Sequence, residues 1–341
     1  CRARQPSEVG SIPTHSRHFF SASSLPVGVP LISSATGAVP AFDHALVVAN
    51  PFSGNSQRRF DGQQALARVA PLGSHAELGW TKGPGHATEL AAGWAAAGHD
   101  LVVAVGGDGT VHEVARGLVG TSCAMAVLPS GSGNDFAAGI GCGTVAEGLR
   151  TIAHGEDHKV DACALNDMVF VNSCGLFASG LVSGVAAGYW RWLGRARYTL
   201  ASVGTLLTYR GQEVTWTFDV AGGHSKATWT QKVLLAEVCN GTLTGGGFRF
   251  APDASLTDGL LDAALIKPLN LLAAMKLLPQ AASGERLDHP AISVHQGCEI
   301  GFESARSVAY HLDGEAAVLP PGSHRLRVLV EKLLVRTMQD L

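Results

Sequence analysis

Charge is scarce in this sequence. Only 16% of its 341 residues are Asp, Glu, Lys or Arg, and the formal net charge is −3. No run of five basic residues occurs, so no nucleic-acid partner is expected. No apolar run approaches the roughly 18–20 residues that a membrane-spanning helix needs, so no transmembrane span is expected. The seven cysteines include no CxxC pair and no Cys/His cluster at zinc spacing. Apolar settings such as those of Cys123, Cys163 and Cys239 read as reduced core thiols in a reducing compartment. There is no GxxxxGK(S/T) stretch either, which removes the commonest lysine-bearing phosphate loop from consideration.

What is abundant is apolar residue and glycine: 46% hydrophobic, with 42 glycines. The chain starts at Cys1 rather than Met, which reads as a processed or partial sequence. Residues 1–42 are rich in Ser, Pro and Gly, with Arg2, Arg4 and Arg17 against a single acid, Glu8. They resemble a transit peptide slightly; a disordered extension outside the fold is the better reading.

From Ala45 the pattern becomes regular. "ALVVAN", "AELGWT", "DLVVAV" and "CAMAVLP" are short, nearly continuous apolar runs. Between them "RRFDGQQALARVA", "GHATELAAGWAAAG" and "VHEVARGLV" carry helical spacing, the last with Val111, Val114, Ala115 and Leu118 at i, i+3, i+4 and i+7. His112 is then expected on the exposed face, without a role. Apolar strands alternating with helices indicate a buried parallel sheet covered on both faces. Residues 43–158 therefore read as an α/β domain.

After about Lys159 the pattern changes. "EVTWTFDV" alternates, with Val214, Trp216, Phe218 and Val220 on one face, and "AGG" separates it from a second strand in "ATWTQKVLLAEVCN". "GLLDAALIKP", "EIGFES", "SVAYHLDGE" and "HRLRVLV" add further strands, with helical insertions near 185–209 and 269–284. Residues 159–332 read as a β-rich domain and 333–341 as a C-terminal tail. The fold class is α/β in two domains.

In an open α/β sheet ligands sit beyond the carboxyl ends of the strands. Three such ends here are "NPFSG", "GGDGT" and "SGSGND", which converge on one rim. Glycines let backbone N–H groups approach phosphate oxygens, and the helix after "GGDGT" adds its N-terminal dipole, with Thr110 as its candidate cap. No lysine lies in these loops, so a triphosphate must be neutralised by N–H groups and Mg²⁺, and Asp108 is the natural carboxylate to meet that metal. Each motif alone is compatible with an ordinary turn; their order and spacing after apolar strands carry the argument.

"NPFSG", "VAVGGDGTVHEV", "LPSGSGNDFA", "PDASLTDGLLD" and "HLDGE" together resemble the diacylglycerol kinase catalytic domain family, which includes bacterial diacylglycerol kinase-like enzymes and is related to sphingosine and ceramide kinases. The match covers roughly residues 45–332. The resemblance implies a nucleotide-binding domain followed by a sandwich-like lipid-binding domain, with MgATP in a cleft between them and transfer of the γ-phosphate to a lipid hydroxyl. By the same resemblance Asn50, Ser53, Thr81, Gly106, Gly107, Asp108, Gly109, Thr110, Ser132, Asn134 and Asp135 meet the nucleotide. Ser132 stands where many relatives carry threonine and keeps the hydroxyl. Glu315 matches the proton acceptor, with Asp108 as the alternative, because the loop aspartate has that role in the sphingosine kinase branch. Ser255, Asp258 and Leu260 match a structural magnesium site. In "HLDGE" Asp313 and Glu315 are expected to point the same way, with Gly314 allowing close approach.

"GGDGT" rather than "SGDGL" favours the diacylglycerol kinase-like branch, hence diacylglycerol as acceptor and phosphatidic acid as product. A sphingoid base or another lipid, a soluble substrate as in NAD kinases, and a non-catalytic lipid- or nucleotide-binding protein stand as alternatives. "YWRWLGRARY" mixes Tyr189, Trp190, Trp192 and Tyr198 with Arg191, Arg195 and Arg197. Such a mixture suits an anionic interface, and an ordinary amphipathic helix is the simpler reading. The expected location is cytoplasmic with peripheral membrane association. The expected partners are a lipid substrate at a membrane surface and, as a candidate, a second copy of the chain.

Overall fold

The computed structural model describes residues 40–51, 61–188, 201, 202, 204, 205, 208–219, 226–285 and 287–341. Four strands, β1 (His44–Ala49), β2 (His75–Trp80), β3 (Leu101–Gly106) and β4 (Ala124–Pro129), pair in parallel in the order β2-β1-β3-β4. Their near-continuous apolar runs are explained by cover on both faces. Val47, Val103 and Ala126 meet Ala65 and Val69 of α1 (Gly62–Val69) and Ile152 of α5 (Val145–His154). Val48, Val102 and Met125, one residue out of phase, meet Ala87 and Ala91 of α2 (His86–Ala96) and Val114 and Leu118 of α3 (Asp108–Leu118). A short α4 (Asp135–Gly139) follows β4. α5 starts at a capping box, Thr144 and Glu147 satisfying each other's backbone N–H. The strand order reverses between β1 and β3, which is where the fold class opens its ligand crevice.

The second lobe is built from β5 (Glu156–Leu165), β6 (Met168–Phe170), β7 (Ser173–Phe177), α6 (Ala178–Gly188), β8 (Gln212–Asp219), β9 (Lys226–Val233), β10 (Leu235–Cys239), β11 (Leu261–Ile266), α7 (Leu271–Ser283) and β12 (Ile292–Gly297). It is completed by β13 (Glu299–Ser304), β14 (Val308–Leu312), β15 (Glu315–Leu319) and β16 (Gly322–Thr337). One antiparallel sheet runs β12-β11-β10-β7-β14-β15. The facing strands β16, β13, β8 and β9 continue the parallel sheet of the first lobe through β4, with β5 and β6 alongside. Between the two sheets lies a core around Trp216, Phe177, Phe218 and Phe302. The expected architecture, a parallel-sheet α/β lobe followed by a β-sandwich lobe, is the one observed.

Three expectations need correction. Phe42, placed in the extension, is 3% exposed and packs in the α/β core over Gly73, so the fold starts before residue 43. "ATWTQKVLLAEVCN" is two strands: at Leu234 the chain leaves one sheet for the other, and the Leu234 N–H turns to Ile266 O. Residues 333–337 are part of β16, not of a tail. A register shift between Val328 and Lys332 resets the alternation, which hides the continuation. Beyond it Leu333 and Val335 are fully buried in the α/β core, Val335 lies beside Met125 of β4, and Arg336 pairs with Asp157.

"YWRWLGRARY" and Val220 lie outside the described residues. No described helix is long and apolar enough to cross a membrane.

Because Leu333 belongs to the last strand yet seals the first lobe, Leu333→Ala is expected to cost about 2–5 kcal/mol, the range for emptying a buried leucine site. Urea unfolding followed by circular dichroism measures it. A loss below about 1 kcal/mol would make the end of β16 peripheral.

Candidate active site

The described residues of the strand-end motifs fall on the same rim. Asn50 follows β1, its N–H donating to Val105 O, and Thr81 follows β2, its N–H donating to Ala49 O. Gly106–Thr110 lead from β3 into α3, and Ser130–Asp135 lead from β4 into α4. Ser53 lies outside the described residues.

Glycine is required where two of these loops meet. An ideal Cβ built on Gly107 would lie 3.0 Å from Gly131 Cα, and one on Gly131 would collide with Gly107 Cα. The contact is thus backbone against backbone, with no room for a methyl group. Asn134 closes the third loop on itself: its side chain accepts from Gly131 N–H at 3.0 Å and donates to Gly131 O at 3.1 Å. Its φ of 61° is the left-handed region that asparagine tolerates. Ser132 is exposed on the loop.

Asp108 lies where the second and third loops meet. Its Oδ2 accepts from Asn134 N–H and its Oδ1 from Asp135 N–H, each at 2.8 Å. The carboxylate therefore ties the second loop to the start of α4. Burial pushes its pKa above the ordinary value, against the pull of those N–H groups. Thr110 does not cap α3. The helix already begins at Asp108, its N-cap residue is Gly107, and Thr110 is buried in the first turn with its N–H bonded to Gly107 O.

The second lobe reaches this rim at two points. The "DG" of "HLDGE" forms the two-residue turn between β14 and β15, with φ of 48° at Asp313 and 94° at Gly314. Two successive positive φ values break strand alternation, so the expectation that Asp313 and Glu315 point together fails. Asp313 turns inward and is buried; Glu315 is exposed. The Glu315 carboxylate stands over the nucleotide loop, its Oε1 only 2.6 Å from where a Cβ on Gly109 would be. The other contact is Gly246 N–H to Asp135 Oδ2, 2.7 Å, from a run of positive-φ glycines at 245–247.

Asp313 Oδ1 accepts from the N–H groups of Asn172 and Ser173, and Oδ2 from Val171 N–H and, at 2.7 Å, from His112 Nδ1. Burial raises its pKa, and His112 with the backbone N–H groups more than reverses that, holding it below the usual carboxylate value. His112, expected on a solvent face, is 6% exposed. Its partner is 201 residues away in the chain, so helical periodicity could not reveal it.

Behind Gly245 an apolar cavity opens in the second lobe, lined by Val182, Leu234, Phe248, Phe250, Leu277 and Ile292 among others. Its polar end is a buried cluster. Glu237 Oε2 accepts from Ser179 Oγ at 2.6 Å, Oε1 from Thr244 Oγ1 at 2.8 Å, and His311 Nε2 lies 3.5 Å away. Burial pushes Glu237 up, and His311 and the hydroxyls bring it below its ordinary value. Burial pulls His311 down, and Glu237 raises it again. No residue of this cluster was singled out in the sequence, because Ser179, Glu237, Thr244 and His311 lie on four separate segments.

The turn Ser255–Leu260 is a local Asx turn: Asp258 Oδ1 accepts from Leu260 N–H at 2.9 Å, and Ser255 Oγ from Thr257 N–H. Among the described residues no three His, Cys, Asp or Glu side chains form a ready metal cluster. A backbone cradle of this kind suits a phosphate chain, and a Mg²⁺ ion arriving with a nucleotide would need few protein ligands.

Gly131→Ala is expected to force the two loops apart, an overpacking of about 1–3 kcal/mol; borne by the nucleotide-bound form, it lowers affinity by about 5- to 140-fold. Calorimetric titration with MgATP measures it. Unchanged affinity would show that the loop contact does not shape the nucleotide site.

Comparisons with known proteins bear on the fold and the family. Residues 44–165 match the diacylglycerol kinase catalytic domain, and residues 177–335 the YegS C-terminal NAD kinase beta sandwich-like domain. The chain is 30% identical over 284 residues to a probable lipid kinase YegS-like of Chromohalobacter salexigens, covering 80% of this chain and 89% of that one. It is 27% identical over 283 residues to a diacylglycerol kinase of Bacillus subtilis, covering 82% and 91%. A crystal structure of a diacylglycerol kinase from Bacillus anthracis shares the fold, with a TM-score of 0.66 at 22% identity over 87% of this chain and 97% of that one. Two consecutive domain matches, a relative matched over most of both lengths, and the convergence of the glycine loops on one rim have one reading: the chain belongs to the diacylglycerol kinase catalytic domain family.

Proposed function

We propose that the protein transfers the γ-phosphoryl group of ATP to a lipid hydroxyl, with Mg²⁺, and that diacylglycerol is the acceptor, giving phosphatidic acid. The observation that carries this reading is the position of Glu315 over Gly109, in a site whose glycine cradle adjoins an apolar cavity of the second lobe. A soluble acceptor has no use for that cavity; an acyl chain does. Thr244 and Gly245 line it, and the next residue, Gly246, holds Asp135 of the third loop, so cavity and cradle adjoin.

MgATP, when bound, supplies the phosphoryl group and a metal that offsets its charge. The chain's own residues do the rest. The Gly106–Thr110 loop and the N-terminus of α3 face the phosphates. Asn50, Thr81, Ser132, Asn134 and Asp135 line the rim around them. Glu315 takes the proton of the acceptor hydroxyl as its oxygen bonds to the γ-phosphorus. The bond from that phosphorus to the bridging oxygen breaks, and ADP leaves with the electron pair. Asp108 acts by holding the third loop in place. The acceptor is met at a membrane surface, on which the protein docks peripherally.

A cation at Ser255, Asp258 and Leu260 belongs to the same reading. In its favour, Asp262 Oδ2, on the strand just after this turn, is buried without a hydrogen-bond partner. Burial, together with Asp258 and Asp253, raises the Asp262 pKa against the pull of Gln296, as unneutralised carboxylates do.

The test is incubation of purified protein with γ-labelled ATP, Mg²⁺ and a total lipid extract, followed by identification of the labelled product. Labelled phosphatidic acid is expected; another labelled lipid would replace diacylglycerol in the reading, and none would end it. Glu315→Gln is expected to keep MgATP affinity and to lower kcat by about 10²–10⁴-fold, the range for a general base. Retained kcat would remove Glu315 from the mechanism. For the cation, added Mg²⁺ should raise the Tm of the native chain but not of Asp258→Ala. Equal shifts in both would place the ion elsewhere.

A further inference from the structure

His112 and Asp313 join the two lobes. His112 lies one turn after Asp108 on α3, hence on the same helix face. Asp313 lies two residues before Glu315, in the turn that launches β15. The His112 and Asp313 side chains are 7% and 4% exposed, and the bond between them is 2.7 Å. Asp313 accepts only, so the hydrogen sits on His112 Nδ1.

The four bonds to this carboxylate divide unequally. Three come from N–H groups at Val171, Asn172 and Ser173, all in the second lobe. They fix the β14–β15 turn within its own lobe. The fourth, from His112, comes from the helix that carries the nucleotide loop. The four bonds together hold the turn from which Glu315 follows. Removing Asp313 would dismantle the turn, whereas removing the His112 donor cuts only the tie across the lobes and leaves the carboxylate with three partners.

Resting on the lipid-kinase reading above, we propose that His112 is a positioning residue for phosphoryl transfer, acting through Asp313 to hold Glu315 at its working distance from the nucleotide loop. His112 touches neither substrate in this role. Its loss affects the transfer step and leaves nucleotide binding, a property of the first lobe, intact.

The experiment compares full-length His112→Leu, His112→Asn and His112→Gln with the native chain. Diacylglycerol in mixed micelles is the acceptor, with kcat, calorimetric MgATP affinity and Tm as readouts. Asparagine carries its amide nitrogen on Cγ, as histidine carries Nδ1, so His112→Asn keeps a donor in place; glutamine moves it one bond outward. Misplacing a reacting group by about 1 Å costs up to about 10²-fold, so His112→Leu should lose about 10–10²-fold in kcat with MgATP affinity within about twofold. His112→Asn should restore most of the loss and His112→Gln less. Native-like kcat in His112→Leu overturns the proposal. So does equal kcat in the Asn and Gln variants, the comparison that stands if His112→Leu does not fold. The tie is also read without turnover, as a slowly exchanging downfield imidazole N–H resonance that is lost in the Asn variant. If that resonance is present but no lipid is phosphorylated by the native chain, the lipid-kinase reading fails and the positioning role falls with it. Lipid turnover without the resonance overturns the tie alone.

Discussion

The site depends on one contact: Gly107 and Gly131 meet backbone to backbone at the carboxyl ends of β3 and β4. Two adjacent parallel strands lie only about 4.8 Å apart, and two loops leaving them must either diverge or touch. Here they touch, and Asp108 fastens them by accepting the first N–H groups of the α4 turn. A carboxylate buried for that purpose is costly to ionise, which is why its pKa rises in spite of its two donors. The glycines and the aspartate of "GGDGT" thus do different work: the glycines make room, and the aspartate uses the room to brace a neighbouring loop.

The second lobe extends this rim rather than forming a separate body. Its turn at Asp313–Gly314 brings Glu315 over Gly109, and its glycine run at 245–247 brings the cavity wall against Asp135. Both contacts use backbone with positive φ, where the chain can turn sharply enough to present a single group to the other lobe. A polar network reaches inward from there. Asp313 holds Ser173 N–H, Ser173 Oγ meets Thr244 Oγ1, and Thr244 donates to Glu237 at the polar end of the cavity. Cavity and nucleotide rim therefore share one set of hydrogen bonds.

The parallel sheet and its loops were legible because burial on both faces leaves no choice but apolar runs, as at Leu101–Val105, and because glycine at a strand end has a steric cause. The sandwich lobe was legible where one face is polar, as at Val214–Phe218. It was obscured at Leu234, where an apolar run continues through a change of sheet, and after Val328, where a bulge resets the alternation. His112 and the Glu237 cluster escaped for another reason. Their partners are distant in sequence, and a histidine among polar helix positions looks solvated until the fold supplies a carboxylate. Asp313 and Glu315 were separated by the turn geometry of an Asp-Gly pair, which the residue types announce but strand alternation does not.

Strand β16 comes after every other described element, yet it lies beside β4 of the first lobe. On the ribosome the parallel sheet emerges early with its β4 edge uncovered. The roughly 200 residues that separate β4 from its late partner take on the order of 10–40 s to synthesise at about 5–20 residues per second. For that interval the nascent chain presents an apolar strand with an open hydrogen-bonding edge, the kind of surface that recruits other chains. The shared strand that unites the finished molecule therefore leaves the nascent first lobe with an aggregation-prone edge until β16 has been made.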